Sequence, residues 1–236
     1  MRSVPVTRRE FFGFAAAAAT VGLGLSAAPA AATSFGTLVD YSAGVPAPAA
    51  IKAAGHIGVI RYVSDRRPGA EWMLGKPLRA AEADELWAHG LSIVSNYQFG
   101  KGPTADWRGG LEGGKQHAER GWELHKAAGG PDTAPIYASI DDNPSEQEFD
   151  ELIAPYIRGW ESVLGPDLVG IYANTPTIDR AVAAGLGSWF WQHDWGTPEG
   201  YVHSGAHLHQ FEIDERAIDG IGVDLNRALT EDYGQW

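Results

Sequence analysis

The chain has 236 residues, the length of one large domain or at most two. Hydrophobic residues make up 44% and charged residues 20%, which allows a sizeable buried core and excludes disorder as the main state. Thirty acidic residues against 18 basic give a formal net charge of −12, which argues against nucleic acid as partner, because phosphate binding needs a basic surface. Cysteine is absent, so there is no disulfide framework, thiolate metal site or cysteine nucleophile. Thirty glycines and nine tryptophans suit a loop-rich enzyme or a sugar-stacking protein better than a helical bundle.

Residues 1–32 read as an export signal rather than as part of the fold. Arg2, Arg8 and Arg9 make the start positive, and Phe11 to Ala28 is apolar and nearly uncharged. Ala28-Pro29-Ala30 and Ala30-Ala31-Ala32 are both readable as small-residue cleavage sites. An uncleaved membrane anchor is the alternative, but alanine and glycine make the run only weakly apolar. Thr7-Arg8-Arg9-Glu10-Phe11-Phe12 resembles the twin-arginine export signal, so the twin-arginine translocase is the expected partner during export. That route carries already folded proteins, and the expected location is secreted or at the cell envelope. Removing three arginines and one glutamate leaves 15 basic and 29 acidic residues, a net charge of −14.

Residues 33–236, expected to form one domain, alternate short β-branched runs with helical segments. Strands are predicted at Gly36–Tyr41, Ile57–Val63, Ser92–Tyr97, Pro135–Asp141, Leu168–Ala173, Ser188–His193, His207–Glu212 and Gly220–Leu225. The first five are spaced widely enough for crossover helices, the signature of βα units with parallel strands, whereas the last three are joined by shorter links. Helices are expected over 79–89 and 111–128, the latter ended by Gly129-Gly130-Pro131. Another begins at Asn143-Pro144-Ser145-Glu146, read as N-cap, first-turn proline and a glutamate three after the cap. It carries Phe149, Ile153, Tyr156, Ile157 and Trp160 at helical spacing and stops at Gly165-Pro166. Thr175-Pro176 starts a further helix. This order predicts an α/β fold, a TIM-like (β/α) barrel with irregular last strands. An open doubly wound sheet is the competitor; its nucleotide-binding forms lack support, since no G-x-G-x-x-G follows the first strand and no P-loop occurs.

A barrel holds its chemistry at the carboxyl ends of its strands. Those ends carry Asp40, Arg61, Tyr97 with Gln98, Asp141 with Asp142 and Asn143, Tyr172, Trp191, Gln210 with Glu212, and Asp224. Carboxylates among aromatics and amides are what glycoside hydrolysis requires: an acid for the leaving oxygen, a second carboxylate, and rings to stack on sugar faces. Structural readings stand beside the functional ones. Asn143 is readable as a helix cap and Asp224 as a partner of Arg227, while Arg61, amid Val59, Ile60 and Val63, is a buried cation in need of a carboxylate. Trp191 or Trp195 would make a sugar platform. His207 and His209 share one strand face and would suit a metal, although satisfied strand histidines are the simpler reading. No metal or other cofactor is expected, and the lack of G-x-S-x-G argues against a serine hydrolase.

Val39-Asp40-Tyr41-Ser42, Val59-Ile60-Arg61-Tyr62, Pro135-Ile136-Tyr137-Ala138-Ser139-Ile140-Asp141, Gly170-Ile171-Tyr172-Ala173-Asn174 and Gly222-Val223-Asp224-Leu225-Asn226 follow the export signal in that order. Together they resemble the glycoside-hydrolase-like domain family of small exported proteins of mycobacteria and related actinobacteria. That family is similar to the family 25 glycoside hydrolases, lysozymes that cut peptidoglycan between N-acetylmuramic acid and N-acetylglucosamine. The resemblance implies that Asp40, Asp141 and Asp224 are site carboxylates and that Gln210 and Phe211 form the Gln-aromatic pair of strand seven. It also implies a departure: the glutamate of the lysozymes' Asp-x-Glu, their proton donor, falls on Asn143, and an amide delivers no proton. Asp142 is adjacent, but an extended strand turns it to the opposite face unless the strand bends there; Glu212 is a second substitute.

The expected function is therefore that of an exported glycoside-hydrolase-like protein acting on a cell-wall polysaccharide or oligosaccharide of peptidoglycan type. Asp141 and Asp142 are expected to supply the acid and its partner, with Asp40 and Asp224 holding charge and raising the acid's pKa. Arg61, Tyr97, Gln98, Tyr172, Trp191, Gln210 and Glu212 are expected to line the cleft. One alternative is a glycan-binding, regulatory barrel without a competent acid, which Asn143 favours. Another is a metal-dependent phosphodiesterase-type barrel with Asp40, Asp141 and Asp142 as oxygen ligands.

Overall fold

A computed structural model describes residues 34–236; the export signal read in residues 1–32 lies outside the described residues. Eight strands close into a barrel in sequence order: β1 Gly36–Asp40, β2 Gly58–Tyr62, β3 Ser92–Tyr97, β4 Ile136–Ser139, β5 Val169–Ala173, β6 Trp189–Gln192, β7 Leu208–Ile218 and β8 Ile221–Ala228. All eight predicted strands are present, and closure rules out the open sheet. Strands β1 to β7 pair in parallel, whereas β8 runs antiparallel to both β7 and β1.

The link before β8 explains its direction. Asp219 and Gly220 have φ of 55° and 74°, the left-handed pair of a two-residue hairpin turn, so the chain folds straight back. Asp224 is consequently not at the carboxyl end of its strand, where sequence order placed it. It reaches the mouth from mid-strand, in register with Asp40.

Strand alternation divides the core in two. Leu38, Ile60, Val94, Tyr137, Tyr172, Trp191 and Leu208 fill the barrel, while Val39, Val59 and Ile93 face outward under the helices. The C-terminal tail packs against the inner cluster, where the Tyr233 carbonyl accepts from the Tyr137 hydroxyl at 2.9 Å.

The helices are α1 Pro48–Ala53, α2 Ala80–Ala88, α3 Gly110–Ala127, α4 Glu146–Glu148, α5 Ala154–Leu164 and α6 Thr175–Ala183. Short α1, opened by Pro48, is an addition to the predicted set. The cap read at Asn143 is corrected: Ser145 caps α4, its hydroxyl accepting from the Glu148 amide at 3.2 Å while Glu148 accepts from the Ser145 amide at 3.0 Å. A π-helical stretch, Phe149–Ile153, joins α4 to α5. Pro155 accounts for it, since proline has no N–H to donate and its ring crowds the carbonyl four residues back, which widens the turn. Helices α3 and α5 touch through two glycines. A Cβ on Gly114 would lie 2.1 Å from the Tyr156 carbonyl oxygen, and one on Gly159 would lie 2.4 Å from that of Leu111.

Candidate functional site

A cleft of about 440 Å³ opens at the mouth of the barrel. Its floor is Trp191, whose indole N–H donates to Asn226 at 2.9 Å, and Tyr172 stands tilted beside it with ring centroids 4.1 Å apart. Two exposed indoles line it, Trp72 (57% exposed) and Trp195 (55%). They come from the loops after β2 and β6, which lie four strands apart and so on opposite sides of the mouth.

Asp40 is buried beside this cleft and lines an adjoining recess. One of its oxygens accepts from the Asn226 amide at 2.8 Å and from the Gln210 amide at 3.0 Å. The same Gln210 nitrogen reaches Asp224 at 3.3 Å, while the Gln210 carbonyl accepts from the Tyr172 hydroxyl. Burial, and then the charge of Asp224, push the Asp40 carboxyl up to about 7 despite these amides. Burial also raises Asp224, partly countered by the Asp214 backbone N–H donated at 2.8 Å. Two buried carboxyls whose charges repel cannot easily both ionise, so the pair retains a proton near neutral pH.

Asp141 is displaced the other way. Burial acts to raise it, but the Lys101 ammonium at 2.9 Å and the Gln98 amide at 3.0 Å hold it below the ordinary aspartate value. The expected electrostatics are thus reversed: the proton sits on the Asp40–Asp224 side, and Asp141 is the ionised group.

Gln98, Tyr172, Trp191, Gln210, Asp141 and Asp224 meet at the cleft, with Asp40 next to them. Arg61, Tyr97, Glu212 and Asp142 are placed elsewhere. Arg61 and Tyr97 lie on the outer face because their neighbours Tyr62 and Gln98 take the inner one. Arg61 donates to Glu82 at 2.6 and 3.2 Å and to the Tyr41 carbonyl at 2.8 Å, which satisfies the buried cation's need for a carboxylate. Tyr97 bonds His117 at 2.7 Å and packs edge-on against Trp160. Glu212 pairs with Arg216 on the hairpin. Asp142 accepts from the Asn143 amide at 2.9 Å and lies 3.9 Å from Arg108, outside the cleft lining. Asn143 accepts from the Asn174 amide at 2.8 Å.

His207 accepts from the Phe190 amide at 3.1 Å, and His209 bonds Asp194 at 2.8 Å. Arg227 lies over the Phe211 ring, 3.8 Å from its centroid, rather than against Asp224. Among the described residues no three His, Asp or Glu side chains gather as a metal site, and the proposed ligand set Asp40, Asp141 and Asp142 is not assembled. Sequence reasoning missed Trp72, Arg67, Lys76 and Lys101, all in irregular loops where no periodicity marks an inner face.

A closed βα barrel with carboxyls, amides and exposed indoles at its mouth defines a glycoside-hydrolase-like protein. The chain belongs to the Rv2525c-like, glycoside hydrolase-like domain family, whose sequence profile matches residues 49–228. It is 60% identical over 237 residues to the candidate peptidoglycan hydrolase Rv2525c of Mycobacterium tuberculosis, covering 98% of this chain and 99% of that protein. The crystal structure of that Tat-secreted protein in complex with L-tartrate aligns with a TM-score of 0.85 at 62% identity, covering 86% of this chain and 100% of the other. GHIP, a glycosyl hydrolase 25 of Streptococcus pneumoniae, shares the fold at a TM-score of 0.54 and 15% identity, over 82% of this chain and 87% of its own.

Proposed function

We propose that the cleft binds and hydrolyses cell-wall glycan of peptidoglycan type. The observation that carries this reading is the opposite displacement of two sets of carboxyls in one indole-walled cleft: Asp40 raised to about 7, Asp141 lowered. Glycoside hydrolysis needs that division, a protonated acid for the leaving oxygen and an anion facing the positive charge that develops on the sugar. Asp224 is the more exposed member of its pair and delivers the proton; Asp40, behind Gln210, holds the proton in reserve. Asp141, kept ionised by Lys101, supplies the anion. Trp72 and Trp195 offer faces for sugar rings on either side.

Relatives support the substrate class: the Mycobacterium tuberculosis protein is a candidate peptidoglycan hydrolase, and its crystal structure is that of a Tat-secreted protein. Together with Thr7-Arg8-Arg9-Glu10-Phe11-Phe12, this supports the reading of an exported protein that passes through the twin-arginine translocase.

A second reading, glycan recognition without cleavage, is favoured by Asn143, to which the resemblance assigns the position of the lysozymes' proton donor and whose side chain is engaged by Asn174. One experiment separates the two. The purified protein is incubated with peptidoglycan and with chitooligosaccharides from pH 4 to 8, following new reducing ends and bound ligand in the same samples. New reducing ends that disappear in Asp224→Asn support hydrolysis. Binding with no new ends at any pH rejects it in favour of recognition.

A further inference from the structure

The loop between β2 and α2 places two cations, Arg67 and Lys76, on the cleft wall. Lys76 is only 3% exposed. Its ammonium donates to the Gln98 carbonyl at 2.7 Å and rests 3.9 Å from the centroid of the Tyr62 ring. A lysine has three N–H donors, and this carbonyl takes one of them. Among the described residues the hydrogen-bond contact of the Arg67 guanidinium is with the Met73 sulfur, at 4.0 Å.

Among the described residues no carboxylate oxygen comes within 4.0 Å of either cation. The other buried cation among the described residues, Arg61, has Glu82 at 2.6 Å. A buried ammonium without a counter-ion is unfavourable, and a chain with 30 acidic residues has no shortage of candidates. Burial, followed by the charge of Arg67, holds Lys76 down to about 7, a displacement that an anionic neighbour reverses.

The surroundings select the anion. Lys76 sits at the ends of β2 and β3, against Tyr62 and Gln98, and Arg67 lines the same cleft, with Asp141 beyond β4 on one side and Asp224 on β8 on the other. A dianion such as a phosphate monoester meets more repulsion from the ionised Asp141 than a single carboxylate does, and one carboxylate matches the planar fork of Arg67 and the point charge of Lys76. Trp72, on the same loop, offers the sugar face from which such a group would project.

We infer that the cleft contains a subsite for a sugar carboxylate, with Arg67 and Lys76 as its counter-ions. The inference rests on the glycan reading above and narrows it to glycan that carries a free carboxylate. Two sugar types have this chemistry, a uronic acid and a muramic acid whose lactyl group is unsubstituted.

The test is a tryptophan-fluorescence titration of the full protein at low salt. The probes are chitotetraose, the N-acetylglucosamine–N-acetylmuramic acid disaccharide with its free lactyl carboxylate, tetragalacturonate, and the methyl esters of both acids. At least one acid should bind about tenfold more tightly than its own ester, the worth of one charge-assisted contact pair, and its identity names the source of the carboxylate. Arg67→Gln and Lys76→Gln should each remove that preference, so that the acid binds no more tightly than its own ester. Arg67 is half-exposed, so its substitution keeps the test decisive if Lys76→Gln fails to fold. Acids and esters bound equally, with chitotetraose still binding, would overturn the subsite and leave the glycan reading intact. A preference that survives both substitutions would overturn the assignment to these cations. Failure to bind any of the sugars would overturn both readings together.

Discussion

Asp40 and Asp224 face each other in register across the β1–β8 pair and share one donor, the Gln210 side-chain nitrogen, at 3.0 and 3.3 Å. Gln210 cannot turn to offer its carbonyl instead, because that oxygen is taken by the Tyr172 hydroxyl. The amide bridges the two carboxyls and holds their like charges close in a buried site, which favours one proton between them. An antiparallel last strand makes the arrangement possible by bringing a mid-strand aspartate level with the carboxyl end of β1.

If the pair is the acid, Asp224→Asn lowers turnover of peptidoglycan by roughly 10²–10⁴-fold, the usual worth of a general acid, with binding retained. Asp142→Asn, outside the cleft lining, changes turnover by less than about threefold at the level of ordinary surface substitutions. Reducing-end assays on both variants check this, and a larger loss in Asp142→Asn would restore the role expected for that residue from sequence.

The Asp40 displacement has a consequence for stability. Its folded value, about 7, exceeds the unfolded 3.8, so the folded state binds more protons between these pH values. The stability it contributes is fully present below 3.8 and is lost as pH rises towards 7, a change of about 4 kcal/mol from the size of the shift. Asp40→Asn keeps an acceptor for Asn226 and Gln210 but carries no charge. It should flatten the stability profile between pH 4 and 7 relative to the unsubstituted protein and be the more stable of the two at pH 8, by denaturant unfolding.

Arg61 is a structural cation, paired with Glu82 outside the barrel. Arg61→Met leaves Glu82 without its partner and should destabilise the fold by about 3–5 kcal/mol, the cost of breaking a buried pair from one side. Glycan affinity of the folded protein should not change, which a binding isotherm at low temperature checks. A selective loss of affinity with unaltered stability would return Arg61 to the site.

At the α3–α5 contact, Gly114→Ala or Gly159→Ala forces a methyl against a carbonyl oxygen and should cost about 1–3 kcal/mol. Gly113→Ala is the control, since its methyl would meet only the Asp106 carbonyl at 3.6 Å, and it should be neutral or stabilising. Thermal unfolding of the three variants tests the contact.

Much of this was legible in the chain. Strand runs ending in aspartate marked Asp40 and Asp141 because an apolar run that stops on a carboxylate leaves it at a barrel mouth. What periodicity alone could not settle was parity: Arg61 and Tyr62, or Tyr97 and Gln98, are adjacent, and only one of each pair faces inward. The cap moved from Asn143 to Ser145 because Ser145-x-x-Glu148 forms a reciprocal capping box that competes with the proline signal at Pro144. Trp72 and Lys76 belong to a loop whose path follows tertiary contacts, such as the Lys76–Gln98 bond, rather than any local pattern.

The direction of β8 also bears on how the protein is made. On a ribosome, β1 emerges first and pairs with β2 early, but its other edge stays open until Ile221–Ala228 has been synthesised. A nascent chain stalled anywhere before that point presents an unpaired strand edge, the feature that invites wrong partners. Closure joins segments more than 180 residues apart in the chain, so it is a slow, late event of high contact order. Chaperone protection is therefore needed longest at the edge of β1, where Asp40 waits for Asp224.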